Sequence, residues 1–333
     1  MLENFGITAS WQGCTIERLT AIAREADKLG FGYFWVPEAW GLEAFSSISN
    51  ILSKTTSIRV GTGIANVYSR SAALIGMGCA TLDQIAPGRF MLGLGSSGRT
   101  LIENWHGYDF SKPLKRTEEY VQVIRKVARG ENVEFRGDVL KNLSKFRLYT
   151  KPVESNLEIY LGAIGDANLK LAGTICEGAI LAQYPISRLN HAMDMLNGES
   201  QDQRKRLFTY LPTFVSTSKE EISKANQRVA RNIAFYVTSM GSYYSKNLVR
   251  LGYEDDLNRI MEAHHRGGST ASELAVSERM LNELSLTGSR ESVVEKVSKF
   301  PEGVIPVLGF SSGSVDEVKS SVDSMRLLSQ DVC

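Results

Sequence analysis

The chain has 333 residues, 43% of them hydrophobic, and its 38 basic and 37 acidic side chains leave a net charge of +1. That composition supplies a core for one large barrel or two smaller domains, and it provides no global field to draw nucleic acid or an anionic membrane. Cys14, Cys79, Cys176 and Cys333 lack metal-like spacing, so no metal is expected and the thiols read as reduced in a cytoplasmic protein. The first residues lack the basic-then-apolar pattern of a signal peptide, and no apolar run is long enough to cross a bilayer.

In chain order the pattern alternates strand and helix. A short apolar strand over 4–8 precedes a helix over 15–29, where Ile16, Leu19, Ile22, Ala23 and Ala26 recur at helical spacing and Gly30 stops the run. A second strand (32–36) leads to a helix (42–54), a third (57–63) to a small-residue helix (71–85), and a fourth (89–94) to a strongly amphipathic helix (114–129). Residues 134–149 read as an excursion that turns at Gly137-Asp138. The fifth strand (158–161), a helix (168–176), the sixth strand (178–182) and a helix (186–195) follow. Gln203-Arg204-Lys205-Arg206 reads as a solvated helix end before the seventh strand (207–216), and a helix starts at Lys219. Residues 238–284 read as a polar helical insertion, partly mobile near Arg266-Gly267-Gly268-Ser269, before the eighth strand (303–308) and a closing helix (315–328).

Eight strands, each followed by a helix, predict an α/β fold: one (β/α)8 TIM barrel over 1–333, with a helical insertion between strands seven and eight. The competitor is a doubly wound open sheet. The count of eight, and the lack of Gly-x-Gly-x-x-Gly after the first strand, favour the barrel.

Three predicted strands end in glycine: at Gly61-Thr62-Gly63-Ile64-Ala65-Asn66, at Gly93-Leu94-Gly95-Ser96-Ser97-Gly98 and at Gly162-Ala163-Ile164-Gly165. Glycine at such places marks a bulge or a close approach of another group. Together the three suggest a site walled by backbone, as a flat cofactor with a phosphate tail would need. Ser96, Ser97 and Gly98 would donate amide or hydroxyl hydrogens, and Gly162 to Gly165 would hold a phosphate at the start of the next helix. Asp166 there either caps that helix or opposes the phosphate. Candidate acids and bases are Glu38, which ends the second strand and so faces the mouth of a barrel, Glu103 beyond the fourth strand, and His106. Trp11, Trp40 and Trp105 are candidate apolar walls, Arg70 and Arg99 candidate cations for an anionic tail, and Arg116 a structural salt-bridge residue beside Glu119 and Tyr120. The plain alternatives are turn glycines, solvated carboxylates, surface ion pairs and packed aromatics.

Several words, in order and spacing, resemble the bacterial luciferase-like superfamily of (β/α)8 flavin and deazaflavin enzymes. They are Phe5-Gly6-Ile7, Ala26-Asp27-Lys28-Leu29-Gly30-Phe31, Gly61-Thr62-Gly63-Ile64, Ala80-Thr81-Leu82-Asp83-Gln84, Gly88-Arg89-Phe90-Met91-Leu92-Gly93-Leu94-Gly95 and Gly162-Ala163-Ile164-Gly165. Glu103-Asn104-Trp105-His106-Gly107, Lys112-Pro113-Leu114 and Arg116-Thr117-Glu118-Glu119-Tyr120 are similar to its coenzyme F420-dependent oxidoreductase branch, which includes methylenetetrahydromethanopterin reductase. These words cover residues 1 to about 180, and Thr287-Gly288-Ser289 extends them loosely.

The resemblance implies hydride transfer between C5 of F420 and a carbon of a small organic substrate. It implies a cis Gly63-Ile64 peptide in a bulge beneath the deazaflavin, and a cofactor site formed by Thr8, Gly63, Ile64, Ala65, Asn66, Gly95, Ser96, Ser97, Gly98, Gly162, Ala163, Ile164 and Gly165. It also implies Glu103 near the reacting centre and a homodimer formed through barrel helices, to which the small residues Ala72, Ala73, Gly76, Gly78 and Ala80 lend some support. Two positions depart from the relatives. Ala39 stands where they often carry histidine, and Thr8 where the methylene reductases tend to carry glutamate. An FMN-dependent monooxygenase and a non-catalytic cofactor-binding paralogue are the alternatives.

Overall fold

The computed structural model describes residues 2–198 and 205–330; Gln203-Arg204 and Cys333 lie outside the described residues. Strands β1 (Gly6–Ala9), β2 (Tyr33–Val36), β3 (Arg59–Thr62), β4 (Phe90–Gly95), β5 (Ile159–Gly162), β6 (Gly178–Ala182), β7 (Arg206–Val215) and β8 (Val304–Phe310) pair in parallel, each with the next. β8 pairs back onto β1 through Gly6–Val307 to Ala9–Phe310 and closes the predicted barrel. Helices cover the outside, so the strands are buried on both faces and read as apolar runs rather than alternating ones.

The barrel interior is filled by side chains. Trp35, Tyr160 and Phe208 meet edge to face, with ring centroids 4.8, 5.0 and 5.7 Å apart, among Met91, Ile180, Ile305 and Val307. A Cβ on Gly61 would lie 2.6 Å from the Trp35 ring, so glycine is what admits that indole. At the N-terminal end of the barrel, Glu158 accepts from Arg59 at 2.9 Å, Arg206 at 3.0 Å and the Tyr160 hydroxyl at 2.7 Å. Aromatic packing and an ion cluster thus fill the middle and the bottom, leaving the C-terminal rim for a site.

The surrounding helices are α1 (Ile16–Lys28), α2 (Ala44–Leu52), α3 (Ala72–Ile85), α4 (Pro113–Ala128), α5 (Asp166–Ile175), α6 (Leu189–Asn197), α7 (Lys219–Thr238), α8 (Ser242–Arg250), α9 (Glu254–Leu274), α10 (Glu278–Leu284), α11 (Arg290–Ser298) and α12 (Val315–Ser329). Six of them start on a Ser or Thr (Thr15, Ser71, Ser218, Ser277, Ser289, Ser314) whose hydroxyl accepts the amide three residues on. The insertion between β7 and β8 is helical, as expected, and α9 packs along α7. At Gly267-Gly268 the helical geometry of α9 breaks, with Gly268 at φ +67°. The chain also contains elements absent from the expectation. The short strand Leu286–Gly288 pairs with β7, α11 follows it, and the excursion is an antiparallel ribbon of Val133–Phe135 with Leu143–Phe146. No helix among the described residues is long and apolar enough to cross a membrane.

Two expectations are corrected by packing. Gly76 and Gly78 face Val127 and Phe45 of the same chain, each with a built Cβ within 2.6–2.7 Å, so they serve internal helix packing. Arg116 makes no salt bridge with Glu119. Its guanidinium lies 4.5 Å from the Tyr68 ring centroid, while Glu119, 1% exposed, accepts the amides of Asp138, Val139 and Leu140 at 2.7–3.0 Å.

Asp27 acts in the same way on the turn before β3. Its carboxylate accepts the amides of Thr56, Ser57 and Ile58 and the hydroxyls of Thr56 and Ser57 at 2.7–3.0 Å. Burial raises its pKa, but the amide bonds from Thr56, Ile58 and Ser57 outweigh it and hold the carboxyl well below the usual range. A folded-state pKa below the unfolded value of about 3.9 means this stabilisation is present above roughly pH 4 and is lost as pH falls. Asp27→Asn is therefore expected to lower the unfolding free energy near pH 7 by about 2 kcal/mol. The deficit should shrink below pH 4, as measured by urea unfolding across pH; an equal deficit at every pH would contradict the assignment.

Candidate active site

The C-terminal rim is organised around the end of β3. The Thr62 hydroxyl donates to the Gly93 carbonyl at 2.6 Å and accepts the Gly93 amide at 2.9 Å, locking β3 to β4. A Cβ on Gly93 would sit 1.9 Å from the Thr62 carbonyl oxygen, so the lock requires glycine there. The Gly63 amide donates to the Val36 carbonyl at 2.7 Å, the Gly63-Ile64 peptide is cis, and the chain rejoins the sheet at Ala65 and Asn66, paired with Leu94 and Gly95. Below the bulge stands the Tyr210 hydroxyl, 2.1 Å from where a Gly63 Cβ would be. The Tyr210 oxygen is buried without a hydrogen-bond partner.

Ile64 brings the three glycine-bearing strand ends together. Its side chain rests in the notch left by Gly95 and Gly162, whose built Cβ atoms would come 3.0 and 3.4 Å from it. Beyond β4, Ser97 takes a left-handed φ of +59°, the Ser96 hydroxyl donates to the Ser97 carbonyl at 3.3 Å, and Gly98 borders open space. A π-helical turn, Leu101–Trp105, then presents Glu103 and His106. Asn66 is buried, its side-chain Oδ1 accepts the amides of Tyr68 and Ser69, and its Nδ2 lies 3.5 Å from Nε2 of His106. His106 is thereby set beside the bulge.

The other charged candidates are otherwise engaged. Glu38 receives Arg70 through two hydrogen bonds of 2.7 Å and the Ala44 amide at 3.0 Å; Arg70 also reaches Glu43, which caps α2. This clamp joins the loops after β2 and β3. Glu38 and Glu43 thus hold the Arg70 guanidinium between them. Glu103 pairs with Arg99 at 2.6 Å in a largely exposed contact, and the guanidinium also lies over Phe110. Thr8, expected along the cofactor, donates its hydroxyl to the Trp35 carbonyl at 2.8 Å and is buried. Trp11 and Trp40 meet edge to face at 4.2 Å, while Trp105 is 64% exposed.

At the end of β5, Ala163 and Ile164 are buried and the Ala163 amide donates to the Ile180 carbonyl at 3.0 Å. Helix α5 begins after Gly165 with no side-chain cap. Asp166 does not cap it: its two oxygens meet Nε2 of His191 at 3.0 Å and Nη1 of Arg250 at 3.1 Å. Arg250 also donates to Asn247 at 2.7 Å and to the Ile164 carbonyl at 3.3 Å, and Asn168 donates to the Tyr243 hydroxyl at 2.6 Å. Sequence reading missed His191, Tyr243 and Arg250, which carry no motif and reach the site only through the fold.

A flat ring with a phosphate tail fits these residues. The glycine notch keeps Ile64 at the rim, Gly98 leaves room, and the uncapped start of α5 offers amide hydrogens to an anion. Among the described residues no group of three His, Cys, Asp or Glu side chains is placed to hold a metal ion.

Comparison with known proteins agrees with this architecture. The chain is 28% identical over 307 residues to the 5,10-methylenetetrahydromethanopterin reductase of Archaeoglobus fulgidus, across 89% of this chain and 90% of that protein. It is 25% identical over 313 residues to a protein of Mycobacterium tuberculosis named as a coenzyme F420-dependent oxidoreductase, across 88% and 90% of the two chains. Its fold matches that of the coenzyme F420-dependent tetrahydromethanopterin reductase of Methanopyrus kandleri with a TM-score of 0.82, at 21% identity, over 98% of this chain and 97% of that one. The family model described as luciferase-like monooxygenase matches residues 4–305, nearly the whole barrel, and the chain belongs to that family.

Proposed function

We propose that this chain is a coenzyme F420-dependent oxidoreductase that moves a hydride between C5 of the deazaflavin and a carbon of a small organic substrate. The observation that carries the reading is Ile64 seated between Gly95 and Gly162, with the uncapped start of α5 beyond it. The names of the relatives support F420 as the cofactor. When bound, F420 supplies the hydride chemistry; the protein's part is to bind, orient and exclude water. Ile64 and the glycines would hold the ring, the Ser96 and Ser97 backbone would donate to it, and the first amides of α5 would take the phosphate. Trp11 and Trp40 shield the mouth.

With Glu38 held by Arg70, and Glu103 by Arg99, His106 is the remaining group suited to hold or accept a proton there. Methylenetetrahydromethanopterin is the less favoured substrate, because the hydroxyl of Thr8, where the reductases tend to carry glutamate, is already bonded to Trp35. The family description favours the FMN-dependent monooxygenase as the second reading. A homodimer belongs to the same proposal. Leu74 and Met77, each about half exposed, give α3 an outward apolar ridge that a second copy would cover.

Titration of the purified protein with F420 and separately with FMN, followed by tryptophan fluorescence, is expected to show tight F420 binding and weaker FMN binding. Tight FMN with no F420 would move the chain to the monooxygenase branch, and binding of neither would leave the non-catalytic reading.

Gly95→Val places new carbon against Ile64. It should weaken F420 binding about tenfold, roughly 1.4 kcal/mol, with an unchanged circular dichroism spectrum; unaltered affinity would remove the notch from the site.

Glu38→Gln should lower the unfolding free energy by about 2 kcal/mol by loosening the Arg70 clamp, while F420 affinity changes little. A variant as stable as the parent that binds F420 but cannot oxidise or reduce it would return the proton to Glu38.

A further inference from the structure

We infer that Asp166 makes the anion site at the start of α5 selective for a phosphodiester monoanion over a phosphomonoester dianion. The inference rests on the proposed placement of a cofactor phosphate at that helix, and it concerns the residues around it.

Two buried polar groups, one just after β6 and one on α8 with Arg250, lack partners. The Tyr184 hydroxyl is 1% exposed and accepts and donates no hydrogen bond, and burial first, then the Asp166 carboxylate, push its pKa up to about 12, so it stays a protonated donor. Asn247, 7% exposed, gives its oxygen to Arg250 at 2.7 Å, while its Nδ2 is unpartnered. Buried donors are normally satisfied, and unsatisfied ones call for a ligand or ordered water. Asn247 Nδ2 and the uncapped amides of α5 make a donor-rich corner where α8 meets α5 through Arg250 and Asp166.

A carboxylate already sits in that corner. Asp166 is the first residue of α5, and its oxygens engage Arg250 and His191. An incoming phosphate shares the Arg250 guanidinium with it and meets its negative charge. A phosphomonoester, with a second pKa of about 6, carries close to two negative charges at neutral pH, whereas a phosphodiester carries one. Repulsion between like charges scales with the charge on the ligand, so Asp166 penalises the dianion more. The phosphate of F420 is a diester, bridging the ribityl chain and the glutamate-bearing tail; that of FMN is a terminal monoester. Asp166 therefore tilts a site whose ring contacts suit either cofactor towards F420.

The test is fluorescence titration at pH 8 of the parent, Asp166→Asn and Asp166→Ser with F420, FMN and riboflavin. Both variants are expected to gain FMN affinity by about tenfold, with a smaller gain for F420 and none for riboflavin. An unchanged or weakened FMN affinity in two folded variants, or a parallel gain for riboflavin, would overturn the inference. Tyr184→Phe is expected to weaken FMN and F420 together and to leave riboflavin alone; no loss for either phosphate ligand would remove the anion corner. If the parent fails to bind F420 but Asp166→Asn gains FMN, the F420 proposal falls and the role of Asp166 stands. If F420 binds and the FMN gain is absent, the reverse holds.

Discussion

The rim of this barrel depends on the lock between Thr62 and Gly93. One hydroxyl both donates to and accepts from the backbone of the neighbouring strand, and the fit is so close that no side chain is possible at position 93. With β3 fixed there, the following residues must leave the sheet and return to it at Ala65 and Asn66. The excursion carries Ile64 across β4 and into the space left by Gly95 and Gly162. Three strand ends that are far apart in sequence thus become one surface. Its shape is set by backbone rather than by long side chains, which suits a flat ligand that must be held close on one face.

Several carboxylates of the barrel gather loops. Asp27 gathers the turn before β3, Glu119 gathers the loop at Asp138 to Leu140, and Glu38 with Glu43 holds Arg70 between two rim loops. Burial raises the pKa of Asp27, Glu43 and Glu119, but the hydrogen bonds each accepts outweigh it and hold the three carboxyls below their usual range. His106 differs, since it sits half-buried beside Asn66 with no cation on it in the described contacts. The rim then divides into a clamped side, built by Glu38 and Arg70, and a polar side, built by His106, Asn66 and the start of α5.

Much of the fold was legible because hydrophobic runs and glycine stops mark strands and helices locally. The barrel count of eight, the insertion before β8 and the gathering of the three glycine runs all followed from that pattern. The ribbon at 133–146 was seen only as an excursion, because its residues are mostly exposed and carry a weak strand pattern. The strand Leu286–Gly288 was hidden by its length of three residues. The packing of Ile64 against Gly95 and Gly162 was readable, since glycine spacing is a backbone property. The partners of Glu38, Glu103 and Asp166 were not, because Arg70, Arg99 and Arg250 meet them through loop and helix geometry that no local pattern encodes. Thr8 shows the same limit: its position at the rim was right, but its hydroxyl had a nearer acceptor in Trp35.

The central claim is that the surface around Ile64 and the start of α5 receive one cofactor, ring at one end and phosphate at the other. A crystal structure of the protein with F420 tests it most directly. The account predicts the deazaflavin ring against Ile64, between the Gly95 and Gly162 strand ends, with its phosphate at the first amides of α5 beside Arg250 and Tyr184. A ring bound elsewhere on the barrel, or a phosphate held away from α5, would contradict it.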